Sequence, residues 1–143
     1  MARETSFWRW LAGRVPAGHF TRIESEAIPG VPDVAYTCGP HTQGWIELKS
    51  LAAPKRDSSH PLRRRGLNPD QIEWIKTETG VGGTVWIFVK LGRFIYVYPG
   101  QFAPFLNQWD FGTLKMKADH TLPLGKKKSW VKNQLRVILH SDS

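Results

Sequence analysis

Gly30-Val31-Pro32-Asp33-Val34 and, after a short spacer, Gly44-Trp45-Ile46-Glu47-Leu48-Lys49-Ser50-Leu51 are the stretches from which the fold is read. The second alternates. In an extended chain Trp45, Glu47 and Lys49 share one face, and Ile46, Leu48 and Ser50 the other. Gly44–Leu51 therefore reads as a strand. Asp33–Cys38 is extended and ends at Gly39-Pro40. A hairpin between the two would set Asp33 beside Glu47, so that two carboxylates and one amine converge. The flanking Trp45, Ile46 and Leu48 place this strand inside a sheet, where a charge is costly unless it is paired or metal-bound.

Upstream, Ser6–Leu11 is a short helix with Ser6 as its cap, broken by Gly13 and Pro16. Phe20–Glu26 alternates as a strand with Phe20, Arg22, Glu24 and Glu26 on one side, and Ala27–Pro32 is a turn. Downstream, Ala52–Leu67 is a basic loop expected to be mobile. The next helix has Asn68 as N-cap, Pro69 at its first position, Gln71 at capping-box spacing and Gly80 as its stop. Thr84–Leu91 and Arg93–Tyr98 form a hairpin of buried character. Gln101–Asn107 reads as a short helix, and Ser129–Leu139 as either helix or strand. This alternation argues α/β or α+β with one mixed central sheet flanked by helices.

The 143 residues suit one domain, taken as a core over about 20–99 with a basic extension over about 100–143. The longest apolar run, Val85–Val89, is far shorter than a membrane span of about 20 residues. Met1-Ala2-Arg3-Glu4 is not followed by a long apolar core, so no secretory leader is expected. One cysteine, Cys38, excludes an internal disulfide and any all-cysteine metal site, and fits a reducing compartment such as a cytoplasm. His41 and His60 lie in loops near the proposed site, and no His or Cys spacing suggests zinc. The net charge of +8 points to a polyanionic partner, nucleic acid before an anionic membrane. The charge is clustered: Lys55, Arg56, Arg63, Arg64 and Arg65 in one stretch, and Lys126, Lys127, Lys128, Lys132 and Arg136 in another. The bland alternative is that this charge only serves solubility.

The Asp33, Glu47 and Lys49 trio has a chemical use. Two carboxylates bind a hard divalent cation such as Mg²⁺ or Mn²⁺, with the Leu48 carbonyl as a further ligand. Such a cation polarises a phosphate and acidifies a bound water, while the lysine offsets phosphate charge, and a phosphodiester bond is cut. The competing readings are a cross-strand Glu47–Lys49 ion pair and a turn role for Asp33.

Pro32-Asp33 followed by Glu47-Leu48-Lys49 resembles the PD-(D/E)xK nuclease signature. The wider series narrows it: Arg22-Ile23-Glu24, Gly30-Val31-Pro32-Asp33-Val34, Gly44-Trp45-Ile46-Glu47-Leu48-Lys49, Gln71-Ile72-Glu73-Trp74, then a hydrophobic hairpin. Over about residues 21–99 this is similar to the virus-type replication-repair nucleases (VRR-NUC), especially small stand-alone phage-like members. The resemblance implies a restriction-endonuclease-like core and metal-dependent DNA cleavage in a phage-infected or bacterial cell. It makes Asp33 and Glu47 metal ligands, Lys49 the catalytic lysine and Gln71 a site residue, although Gln71 is equally a helix cap. Glu24 matches the family's upstream acidic ligand, with Glu26 as its competitor. Stand-alone relatives resemble Holliday-junction resolvases, which implies a homodimer acting on branched DNA. The Lys55–Arg65 loop would grip backbone phosphates near the site, and Lys126–Lys128 would be a second DNA contact or a solvated run. The readings kept beside this are a basic nucleic-acid-binding module without catalysis, and the same nuclease core acting on other DNA or on RNA.

Overall fold

The computed structural model describes residues 3–24 and 27–141. Six strands form one sheet in the order β1 (His19–Arg22), β2 (Val34–Thr37), β3 (Gln43–Leu51), β4 (Val85–Leu91), β5 (Phe94–Pro99) and β6 (His120–Pro123). β3 and β4 are parallel and every other neighbouring pair is antiparallel. The sheet is thus mixed and, with helices on both faces, the architecture is α/β, as the alternation of helical and strand patterns implies.

Helix α1 (Arg3–Ala12) and helix α5 (Lys128–Leu139) cover one face. Phe7 and Leu11 of α1 and Val131, Leu135 and Ile138 of α5 are buried there against Val34, Ile46, Leu48, Trp86 and Phe88. Phe7 and Leu11 are four apart, as one helix face requires. Helices α2 (Pro69–Gly80), α3 (Ala103–Leu106) and α4 (Phe111–Lys117) cover the other face, where Ile75, Ala103, Leu106 and Leu114 pack on Val85, Ile87, Val89 and Tyr98. No helix of the described residues is long and apolar enough to cross a membrane.

Several sequence expectations shift. Ser6 lies inside α1 rather than capping it, since the helix begins at Arg3. β1 ends at Arg22, so Glu24 stands beyond the strand, and Glu26 lies outside the described residues. Cys38 sits just past β2, half-buried, with its Sγ 3.8 Å from His140 Nε2. The 129–139 segment is helix: its buried residues recur at three- and four-residue spacing, which a strand would split between two faces. Residues 100–141 add β6 to the sheet and α5 to its core, together with α4, a helix and strand that short polar-flanked sequences do not announce.

The basic loop between β3 and α2 is also tied down. Asn107 accepts from the Leu67 N–H at 3.0 Å and donates to the Leu67 carbonyl at 2.7 Å. The Phe111 and Gly112 N–H groups donate to the carbonyls of Ser59 and Asp57 at 2.8 and 3.0 Å. Lys115 Nζ meets Asp57 at 2.8 Å, and Leu62 and Leu67 are buried in the core. The loop is long and irregular, but it is anchored along its length by α4 and the turn before it.

Removing the Asn107 amide leaves two backbone groups of Leu67 without partners. Asn107→Ala should cost about 1–3 kcal/mol in chemical unfolding. Trypsin should then cut after Arg63, Arg64 or Arg65 faster than in the parent chain.

Candidate acidic site

The register of β2 on β3 decides where the site forms. Val34 pairs with Ile46, so the residue before Val34 falls opposite the residue after Ile46. β2 ends there, and Asp33 takes over the pairing with its side chain: its Oδ2 accepts the Leu48 N–H at 2.7 Å. N–H and C=O of one strand residue point to the same side, so the Leu48 carbonyl also faces the gap where β2 has ended. Asp33 Oδ1 accepts from Arg22 Nη1 at 2.9 Å, and the same nitrogen reaches the Asp33 carbonyl at 3.1 Å. Asp33 is therefore held by β1 on one side and by β3 on the other.

The turn before Asp33 is set by Gly30. It adopts φ +82°, and a Cβ there would collide with the Asp70 carbonyl in the first turn of α2. Only glycine allows both the left-handed backbone and that close approach. This docks the Ala27–Pro32 turn on the start of α2, the same end from which Gln71 projects.

Glu47 is 1% exposed although it bears a carboxyl group. Its Oε2 accepts from Gln71 Nε2 at 3.1 Å and lies 3.8 Å from Lys49 Nζ. Its Oε1 is buried and has no hydrogen-bond partner. Burial pushes the Glu47 carboxyl well above the ordinary carboxylate range, and the neighbouring Asp33 carboxylate pushes the same way, while Lys49 and Arg22 oppose the shift.

Gln71 caps the helix and also bonds Glu47. Its Oε1 accepts from the Asn68 N–H at 2.9 Å while Asn68 caps the Gln71 N–H at 2.9 Å, a reciprocal capping box. Its Nε2 donates to Glu47. One amide orientation satisfies both, because Asn68 N–H needs an acceptor and Glu47 a donor.

Asp33, Glu47, Lys49, Gln71 and Leu48 thus come together. Glu24 does not join them: it is exposed beyond β1, and among the described residues no group of three or more His, Cys, Asp or Glu side chains stands close enough to hold a metal. The oxygen donors that could hold a cation here are Asp33, Glu47 and the Leu48 carbonyl. Lys55, Arg56, Arg63, Arg64 and Arg65 are exposed on the loop that leaves β3, and the last three line a cavity of about 330 Å³ with His60 and Pro61. Lys126, Lys127 and Lys128 are exposed at the start of α5, on the layer opposite Glu47 and after β6, three strands or roughly 14 Å from β3. They are not brought to the acidic site. Sequence reading overlooked Arg22 as a partner of Asp33. The strand alternation gave no signal for it, because Arg22 is in register with Val34 and Ile46, on the sheet face opposite Glu47, and meets Asp33 only at the edge of β2.

Because folded Glu47 keeps its proton to higher pH than the unfolded chain, the folded state binds more protons above the ordinary value of 4.5. Stability from this group is therefore fullest below that value and declines as pH rises through the folded one. Glu47→Gln, similar in shape and uncharged, should remove the decline. With EDTA present, its melting temperature should match the parent near about pH 4 and exceed it by a few degrees near about pH 8.

No protein-family model matches the sequence, and no curated protein matches it. Among solved structures, the chain is similar to Hjc, a Holliday junction resolvase from the archaeal hyperthermophile Archaeoglobus fulgidus. The two are 24% identical over 71% of this chain and 75% of that one, with a TM-score of 0.45.

Proposed function

We propose that this chain is a metal-dependent DNA endonuclease of the PD-(D/E)xK kind with a restriction-endonuclease-like core, acting as a homodimer on branched DNA such as a four-way junction. The observation that carries the reading is the Glu47 carboxylate. It is buried on an interior strand, has one oxygen without any hydrogen-bond partner, and lies against the carboxyl group of Asp33. A protein keeps such a group at a cost unless a cation or a proton completes it. The donor set is all oxygen, which suits Mg²⁺, with Mn²⁺ able to replace it. When bound, the cation would polarise the scissile phosphate and acidify the attacking water.

The chain's own groups have separable tasks. Gln71 fixes the Glu47 carboxylate by holding Oε2, while the buried Oε1 is left without a hydrogen-bond partner. Arg22 and the Leu48 N–H fix both oxygens of Asp33, so a cation drawing on Oδ1 must share it with Arg22 or displace it. Lys49 is half-buried on the same sheet face and presents its ammonium where a phosphate would offset it. The exposed arginines after β3 supply backbone-phosphate contacts that carry no sequence preference. A two-fold dimer would match the two symmetric strands of a junction.

A second reading is favoured by one observation. Arg22 and Lys49 already set two positive charges against the two carboxylates. A basic nucleic-acid-binding module with a purely structural polar cluster would look the same.

Cleavage separates the two. With four-way junction, flap, duplex and single-stranded DNA, the parent chain should cut in Mg²⁺ and not in EDTA. Asp33→Asn and Glu47→Gln should abolish cutting and retain binding, and Lys49→Ala should lose about 10²-fold or more in rate. Binding without cutting in both Mg²⁺ and Mn²⁺, or full activity in Asp33→Asn, would reject the nuclease and leave the binding module.

A further inference from the structure

Phe105 is 51% exposed, on the short helix α3. Its ring stacks on Trp109, with centroids 6.3 Å apart and planes 14° from parallel. Trp109 is itself fixed: it meets Phe102 edge-on at 5.5 Å and Tyr98 at 6.5 Å, and Tyr98 is fully buried. Phe105 is therefore the outer member of a rigid aromatic stack, with its solvent-facing side free. The core does not require this, since the neighbouring Leu106 and Ala103 already bury that helix.

The position of this stack matters. Asn107 lies between Phe105 and Trp109 in sequence and is double hydrogen-bonded to Leu67, two residues beyond Arg65. Two residues span at most about 7.2 Å between Cα atoms, so the backbone that Asn107 holds, between the two rings in sequence, leads directly into the arginine cavity. That cavity is lined by His60, Pro61, Arg63, Arg64 and Arg65 and collects cationic groups suited to phosphate.

We infer that Phe105, backed by Trp109, is a stacking platform for an unpaired nucleobase whose phosphates lie along Arg63–Arg65. This rests on the reading of the chain as a DNA-binding protein and adds what it selects. In a duplex both faces of each base are covered by its neighbours. A free π-face exists only at a gap, a flap, an end or the opened centre of a branch. The arginines hold any DNA, whereas the platform favours DNA with an unpaired base. The residues after 99 would thereby contribute to substrate choice as well as to the core.

The test is equilibrium binding in EDTA, where no cutting intervenes, to a single strand of roughly 16 nucleotides and to a blunt duplex of the same length. Phe105→Ala should weaken single-strand binding about tenfold and leave duplex binding unchanged. Phe105→Trp should restore it, and Phe105→Leu, apolar but without a ring, should not. Arg64→Gln should weaken both ligands. Unfolding curves should be close to the parent, because Phe105 is exposed. Equal loss on both ligands, no loss on the single strand, or full binding by Phe105→Leu would overturn the platform. A fall in oligomeric state on Phe105→Ala would overturn it too, by making the patch an interface between copies. If the parent binds no single strand in EDTA, the platform fails while the cleavage assay still judges the nuclease. If the parent binds but never cuts, only the nuclease reading fails.

Discussion

A carboxylate buried on an interior strand is the constraint around which this protein is arranged. Glu47 lies on β3, paired by β2 on one side and β4 on the other, and water reaches almost none of it. Removing an ionised carboxyl from water is costly enough that its neighbours must be polar and fixed. Each neighbour here comes from a different element: Lys49 from the same strand, Asp33 from the turn before β2, and Gln71 from the first turn of α2. Arg22 acts at one remove, by holding Asp33 from β1. The polar cluster therefore depends on the sheet register and on the seating of α2 together, and a shift in either would strand a charge.

The start of α2 shows how local and distant demands are met by one group. A helix N-terminus has unpaired N–H groups and a partial positive charge. Asn68 and Gln71 satisfy the first need through their reciprocal cap. The same end of the helix faces Glu47, where a positive potential favours the carboxylate. Gly30 lets the preceding turn lie directly on that end. Capping, dipole and site geometry are thus one arrangement.

The later part of the chain acts on the site through the basic loop. A loop between β3 and α2 that carries five cationic residues would by itself repel and spread. Its carbonyls at Asp57, Ser59 and Leu67 are instead taken by Gly112, Phe111 and Asn107. Pairings of this kind, 40 to 55 residues apart, fix where the arginines stand relative to the acidic cluster. Lys126–Lys128 have no such tie to it, and they sit at the N-terminus of α5, where a cation is electrostatically unfavourable for the helix.

Alternation in Trp45–Lys49 was enough to put Glu47 and Lys49 on one face, and the Pro-Asp before the preceding strand was enough to set Asp33 beside them. The cap of α2 was likewise legible, because capping is decided within four residues. The extent of α1, the identity of α4 and β6 and the helical state of 129–139 were less so, since short segments with weak periodicity take their conformation from what they pack against. The burial of Glu47, the grip of Arg22 on Asp33 and the anchoring of the basic loop by Asn107 were decided by tertiary structure alone. Sequence periodicity determines which way a side chain points from its own element. Only the docking of elements distant in the chain decides whether water, a charge or a hydrogen-bond donor is what it meets.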